Sequence, residues 1–232
     1  MTTRARTERS FHVFFQLLRG ADESLLRDRL LLDSRDARDY GFLSDSNLDV
    51  NGIDDKLEWR ALREALDTVG FNDSEQLALF RTVAAILHLG NVTLNAPGGA
   101  YNPSAPAILG DRAALEKVCF LLGLDLAQLE RALVRPRVKA GREVVEQART
   151  SEQVVHELAA LARTLYERNF AHVVDRINAA LDLPTQSYNF IGVLDIAGFE
   201  IFEENSESPT SIPGDTRWLT GRSQATSSSA ST

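Results

Sequence analysis

Cysteine is nearly absent from this 232-residue chain, which carries Cys119 alone. A single cysteine excludes an intrachain disulfide and any cluster of cysteine metal ligands. A reducing, intracellular setting is therefore the natural expectation. Cys119 shares a helical face with Leu115, Val118 and Leu122, so we expect a buried structural thiol rather than a nucleophile.

Long apolar runs and an excess of positive charge are also lacking. No run approaches the length of a bilayer-spanning helix, so no membrane span is expected. The formal net charge of −8 argues against a general nucleic-acid binder. No heptad array is present, so nothing points to coiled-coil dimerisation. The apolar stretch 11–18 contains His12 and Gln16 and lacks a cleavage site, which favours an amphipathic helix over a signal peptide.

Most of the chain has a helical pattern. Apolar residues recur at helical spacing after a polar start at Asp73 and stop at Gly90. Asp111 is suited to cap a second helix, which runs through Leu122 and is ended by Gly123. These signals predict two well-bounded helices in the middle of the chain.

Two capping pairs predict the helices that follow. Asp125 and Gln128 resemble one such pair, at the start of a short helix. Thr150 and Gln153 are the second pair, and they open a long helix that is expected to end near Leu181. The chain is therefore expected to be rich in helix well beyond its middle.

The basic stretch 134–149 interrupts this helical pattern. Alternation around Gly141 predicts an exposed hairpin, with Arg135–Lys139 paired against Arg142–Val145. Residues 95–106 are rich in Gly, Pro and Asn and are expected to form a surface loop. The charges of the hairpin could serve a partner or simply form a solvated face, and the residues alone leave both readings open.

A short segment near residue 195 points to chemistry. The apolar run Phe190–Leu194 fits a strand buried on both faces, and it ends at Asp195. An Asp at a strand's carboxyl end can hold Mg²⁺ directly or through water. Gly198 would let its N–H approach a phosphate oxygen, and Glu200 would need a cationic partner or solvent. The alternative is an ordinary strand-to-turn exit, since Asp and Gly are common turn residues.

The predicted fold class is mainly α with a small β component. It combines a helical subdomain, a surface hairpin, and a buried strand ending in a phosphate-switch loop. Residues 1–7 are expected to be a flexible N-terminus and residues 8–206 the ordered part. The Ser/Thr-rich tail 207–232 buries too little apolar surface to offset its ordering entropy and is expected to be disordered.

Several strings occur in an order that resembles the myosin motor head. They are ERSFHVFFQLL at 8–18, AILHLGN at 85–91, AALARTLY at 159–166 followed by DRIN at 175–178, and DIAGFE at 195–200. Order, spacing and chemistry agree together, which makes the combination specific. The resemblance covers about residues 8–206, as a partial motor domain from the upper actin-facing subdomain through the second switch. The conventional (class II) type is one option.

The resemblance implies roles for the segment after the strand. Asp195 would stand in the second shell of Mg²⁺, bound through water. Gly198 would offer its N–H to the γ-phosphate of ATP. Glu200 would pair with an arginine of the first switch and close a gate over the attacking water, an arrangement that distant elements read.

The resemblance also implies actin filaments as the partner and a cytoplasmic, cytoskeleton-associated location. The hairpin would correspond to the surface loop that touches actin, through Arg135, Arg137, Lys139 and Arg142. Glu143 falls where the family has an acidic or phosphorylatable residue, and a fixed Glu needs no phosphorylation to supply negative charge. The alternative for Glu143 is one more solvated surface charge.

Departures from the family bear on activity. No Gly-x-x-x-x-Gly-Lys-Ser/Thr loop occurs in the chain, and the first switch is expected upstream of Glu8. We therefore expect a fragment of an actin-based, ATP-driven motor, with inherited nucleotide and actin binding but without catalytic competence alone. The alternative is a non-catalytic helical module that binds actin or another protein. The pattern Asp195-x-x-Gly198 also suits a GTPase switch. A GTPase is excluded because the chain has neither a phosphate loop nor an Asn-Lys-x-Asp base-recognition motif.

Overall fold

The computed structural model describes residues 9–95, 105–140 and 143–182. These ranges belong to one compact unit, residues 1–184. The predicted strand Phe190–Leu194 and its switch loop lie outside the described residues. So do the predicted flexible N-terminus and the predicted disordered tail.

Helices make up most of the described residues. Six α-helices occur in them: α1 (His12–Gly20), α2 (Asp55–Thr68), α3 (Asp73–Leu89), α4 (Ala113–Leu122), α5 (Leu126–Val134) and α6 (Ser151–Leu181). A π-helical turn covers Leu25–Arg29 and a 3₁₀ turn covers Ala37–Asp39. Among the described residues, none of the helices is long and apolar enough to cross a membrane.

Two short antiparallel strand pairs complete the described fold. Strand β1 (Leu94–Asn95) pairs with β2 (Ile108–Leu109), and β3 (Arg137–Ala140) pairs with β4 (Glu143–Glu146). The prediction of a mainly α chain with a small β component is confirmed.

The capping residues place the helix starts close to their predicted positions. Thr150 and Gln153 form the reciprocal capping box that opens α6, which ends at Leu181 as predicted. Asp125 accepts a hydrogen bond from the backbone N–H of Gln128 and so caps α5. Helix α3 is capped by Asn72, one residue before the predicted start, because its side chain reaches the free N–H groups of the first turn.

The core is built around α3. Every residue from Val83 to Leu89 is buried, so this helix meets other elements on nearly all sides. Helices α4 and α6 pack directly against it. Cys119 of α4 is buried next to this core, which confirms the burial expected for it, and this burial raises the pKa of its thiol.

Helices α1 and α2 form a second close contact. A Cβ atom on Gly20, the last residue of α1, would lie 2.3 Å from Cβ of Trp59, so only glycine permits this approach. The indole of Trp59 in turn packs on Phe80 of α3, with ring centroids 4.6 Å apart. Helix α2 was not predicted from the sequence, although Leu62 and Leu66 follow Trp59 at helical spacing.

A buried ion pair ties the start of the described chain to α2. Nη2 of Arg9 lies 2.6 Å from Oδ2 of Asp55, and these side chains are 3% and 2% exposed. Arg19 donates to the same oxygen at 2.9 Å. The guanidinium of Arg9 also lies 3.8 Å from the ring centroid of Phe15. Asp55 is therefore the counter-ion that lets a full positive charge sit beside the aromatic core.

His88 shows why a histidine can belong to a core. Its Nε2 lies 3.2 Å from the carbonyl oxygen of Leu30, and because a carbonyl only accepts, this ring nitrogen carries the proton. Burial lowers the pKa of His88, and Lys117 lowers it further, while Asp33 and the bond to Leu30 oppose the shift. Folding therefore favours the neutral form of the His88 imidazole.

We predict that Asp55→Asn destabilises the protein by about 3–5 kcal/mol, because it leaves the charge of Arg9 buried without a counter-ion. Urea unfolding followed by circular dichroism measures the change. Asp49→Asn is the matched control, since this carboxylate also pairs with Arg19 at 2.9 Å but is 84% exposed. It should cost less than about 1 kcal/mol. Equal unfolding midpoints for the two variants would contradict the importance of the Arg9 pair.

We also predict that acid destabilises the wild-type protein through His88. The unfolded imidazole takes up a proton near its ordinary pKa of 6.5, while the folded one resists it. Stability is therefore complete above that pH and is lost as the pH falls below it. His88→Gln keeps a donor for Leu30 but cannot titrate. Its urea midpoint should fall less than that of the wild type between pH 7 and pH 5, and parallel decreases would exclude His88 as the cause.

Candidate functional site

The predicted nucleotide segment and the predicted hairpin differ in what the structure says of them. Asp195, Gly198 and Glu200 lie outside the described residues, so their roles stay predictions. Within the described ranges, no group of His, Cys, Asp and Glu side chains is arranged to hold a metal ion. The hairpin strands do lie within the description, and they form the candidate site that can be built from contacts.

The predicted hairpin is confirmed, with shifted boundaries. Strand β3 begins at Arg137 rather than Arg135, and β4 begins at Glu143. The register pairs Arg137 with Glu146, Val138 with Val145, Lys139 with Val144, and Ala140 with Glu143. Strand β3 starts later than predicted because Pro136 has no N–H to donate to the hydrogen bonds between the strands. Its carbonyl still accepts from the N–H of Gln147 at 3.1 Å.

The two faces of the hairpin differ in character. Residues directly opposite in the register share a face, so Arg137 and Lys139 lie with Glu146 and Val144. Nε of Arg137 is 3.7 Å from Oε1 of Glu146, and both side chains are exposed. This face therefore mixes two cations, one anion and an exposed valine, and is less uniformly basic than the sequence indicates.

The other face is turned toward helix α6. A cleft of about 380 Å³ lies between the hairpin and the first turns of α6. It is lined by Pro136, Val138, Gln147, Arg149, Glu152, Gln153, His156 and Glu157. Because Val138 contributes to this cleft, the face with Arg137 and Lys139 is the one presented to solvent.

The remaining predicted contact residues occupy different positions. Arg135 is exposed but ends helix α5, where its N–H bonds the carbonyl of Arg131. Arg142 lies in the connection outside the described residues, and Glu143 is placed by backbone pairing alone. The structure thus brings Arg135, Arg137 and Lys139 together along one exposed segment.

Arg149 has a role that the sequence analysis missed. It was counted with the basic stretch, yet its Nη1 donates to the carbonyls of Ala132 and Leu133 at 3.1 and 3.2 Å. Its Nη2 lies 3.0 Å from Oε1 of Glu157 on α6. The contacts of this arginine therefore hold the base of the hairpin. The sequence signal was weak, because the two carbonyls come from a helix that ends 15 residues earlier at Val134.

Two of the strings that carried the resemblance, those at 8–18 and 159–166, meet in space. Phe11 stacks on Tyr166 with ring centroids 4.1 Å apart, which joins the first string to the one on α6. Asn91, at the end of the second string, bonds the backbone of both Gly41 and Asp39 at 2.8 Å. These residues hold the subdomain together and do not form a site.

Comparisons of the sequence with known proteins agree with the resemblance. The family model described as Myosin head (motor domain) matches residues 1–210. A probable myosin heavy chain of Encephalitozoon cuniculi is 44% identical over 206 residues, which cover 89% of this chain and 12% of that protein. Myosin type-2 heavy chain 1 of Schizosaccharomyces pombe is 45% identical over 199 residues, 86% of this chain and 13% of that protein.

The chain therefore belongs to the myosin head family. Similarity to two type-2 heavy chains of Schizosaccharomyces pombe is consistent with the conventional, class II type. The non-muscle myosin heavy chain of Drosophila melanogaster is 40% identical over 87% of this chain and 10% of its own length. The chain thus spans about an eighth of the curated relatives it matches, or less.

Proposed function

We propose that this chain is part of an actin-based, ATP-driven cytoskeletal motor, in which the β3–β4 hairpin contacts the actin filament. The observation that carries the proposal is the exposed hairpin face with Arg137 and Lys139, held on a helical subdomain of the myosin head family. Arg135 extends the same exposed segment toward helix α5. Cations at this density suit a partner with an acidic surface.

The composition of the hairpin face suggests how it would bind. Lys139 lies directly opposite Val144, which is 65% exposed, so a cation and an apolar group are offered side by side. The charged groups would steer the encounter, and burial of the valine would add affinity that salt does not screen. Arg142 is expected to add positive charge, and Glu143 a fixed negative charge where the family has an acidic or phosphorylatable residue.

The second part of the proposal concerns nucleotide. Asp195 would hold Mg²⁺ through water, Gly198 would give its N–H to the γ-phosphate of ATP, and Glu200 would pair with an arginine of the first switch. Mg²⁺, when bound, neutralises the charge that develops on the phosphates. The support is the sequence of this segment and the family of the chain.

These 232 residues contain no phosphate loop of the Gly-x-x-x-x-Gly-Lys-Ser/Thr type. Phosphoryl transfer depends almost entirely on positioning and charge stabilisation, so one phosphate-contacting element would not suffice for turnover. The alternative function is a non-catalytic helical module that binds actin or another protein. The described residues within 9–182 include a hydrophobic core around α3, and this core supports the alternative.

We predict that the 232-residue chain shows no Mg²⁺-dependent ATP hydrolysis above background in a phosphate-release assay. Asp195→Ala should therefore leave the measured rate unchanged. Hydrolysis by the wild type that Asp195→Ala abolishes would contradict the prediction, because it would require a complete catalytic site within this chain.

We further predict that the chain co-sediments with actin filaments and that Lys139→Ala weakens this binding about two- to fivefold, the cost of one exposed charged contact. Raising the salt concentration should weaken the wild-type binding as well. Lys56→Ala is the matched control, because Lys56 is exposed on α2 and is not part of the hairpin. Equal losses for the two lysine variants would remove the hairpin from the actin-contact proposal.

A further inference from the structure

Arg149 connects three parts of the fold at the base of the hairpin. Its backbone N–H bonds the carbonyl of Val134 at 2.9 Å, and its own carbonyl accepts from the N–H of Ala107 at 2.8 Å. Its side chain reaches Ala132 and Leu133 at the end of α5 through Nη1. It reaches Glu157 in the second turn of α6 through Nη2. One residue thus touches both helices between which the hairpin emerges.

The chemistry of these contacts needs an arginine. The last carbonyls of a helix lack intrahelical partners and carry partial negative charge, so a cation that donates to them is favourable. The planar guanidinium can meet these carbonyls with one nitrogen and a carboxylate with another, which a single ammonium group cannot match in geometry. The side chain is 23% exposed, so the contacts are partly shielded from solvent.

Among the residues that the structure describes, few other contacts fix the direction of the hairpin. Its ladder holds four residue pairs, and Val144 and Val145 are 65% and 41% exposed. An isolated two-stranded hairpin is marginal in water, so its orientation depends on how its base is held. The base consists of the backbone bond between Gln147 and Pro136 and the contacts of Arg149.

We propose that Arg149 is a positioning residue that sets the direction of the β3–β4 hairpin relative to helix α6 and thereby its affinity for a partner. The direction of the hairpin is a property of the chain alone. The effect on affinity rests on the proposed function, with the actin filament as the partner. A fixed direction helps binding because a pre-organised element loses less conformational entropy when it docks.

The first measurement is the distance between the hairpin and α6, by pulsed electron spin resonance with labels at Val144→Cys and Arg168→Cys in a Cys119→Ala background. The wild type should give a narrow distribution. Arg149→Met keeps much of the apolar stem but no donor and should broaden it. Arg149→Lys keeps the charge but not the planar fork and should restore the narrow distribution only in part. A narrow distribution with an unchanged mean in Arg149→Met would overturn the proposal.

Two further variants serve as a control and a substitute in this distance measurement. Arg131→Met is the matched control, because Arg131 is an exposed arginine on α5, the helix whose end Arg149 contacts, and it should leave the distribution unchanged. If Arg149→Met fails to fold, as judged by hydrogen exchange of the α3 amides, Glu157→Gln removes the charge from one contact and should broaden the distribution less. An unchanged distribution in Glu157→Gln, with Arg149→Met unfolded, would also overturn the proposal.

Actin co-sedimentation of the same variants separates this proposal from the proposed function. Arg149→Met should weaken actin binding about fivefold, while Arg131→Met should not. Absence of binding by the wild type would refute actin as the partner, and the distance measurement would still decide the role of Arg149 in hairpin direction. Wild-type binding that Arg149→Met leaves intact, despite a broadened hairpin, would refute the effect on affinity.

Discussion

The apolar surface of helix α3 has to be removed from water on nearly every side, and the arrangement of its neighbours follows from that requirement. Burial between Val83 and Leu89 is continuous, so one packing partner cannot cover this helix. Helices α4 and α6 cover much of it, and Trp59 of α2 packs on the ring of Phe80 near the middle of α3. Because burial of apolar area is the dominant favourable term in folding, this core holds the subdomain together in the absence of any large sheet among the described residues.

At the edges of this core, arginine side chains form the hydrogen bonds and ion pairs that apolar packing cannot supply. Arg9 brings its charge into a buried pair with Asp55, Arg149 bonds the end of α5, and Arg176 of α6 donates to the carbonyl of Gly70 at 2.8 Å. Each meets carbonyl or carboxylate oxygens from a distant part of the chain. A guanidinium suits these positions because it offers five donors in a fixed plane. The hairpin proposed to meet actin therefore stands on a base defined by directional bonds.

Sequence reasoning succeeded where the signal was local. The capping box that opens α6, the Asp125 cap of α5 and the glycine that ends α4 gave helix boundaries, since a cap involves residues three or four positions apart. It did not predict α2, whose apolar pattern is limited to a few residues. It assigned Arg149 to the basic stretch, whereas the partners of this side chain come from two different helices. It treated the charges of the hairpin as one basic group, whereas the cross-strand register brings Arg137 beside Glu146. The roles of Asp195, Gly198 and Glu200 remain predictions that rest on sequence and family.

The sequence by itself determined the helical character of the chain, the existence of the hairpin and the membership in the myosin head family, because periodicity, caps and ordered motifs are all written along the chain. Only the tertiary structure decided which face of the hairpin meets solvent and which arginine serves as its foundation. Those properties depend on strand register and on helix ends that fold back from distant positions, and a linear pattern does not encode which oxygen a guanidinium will finally reach.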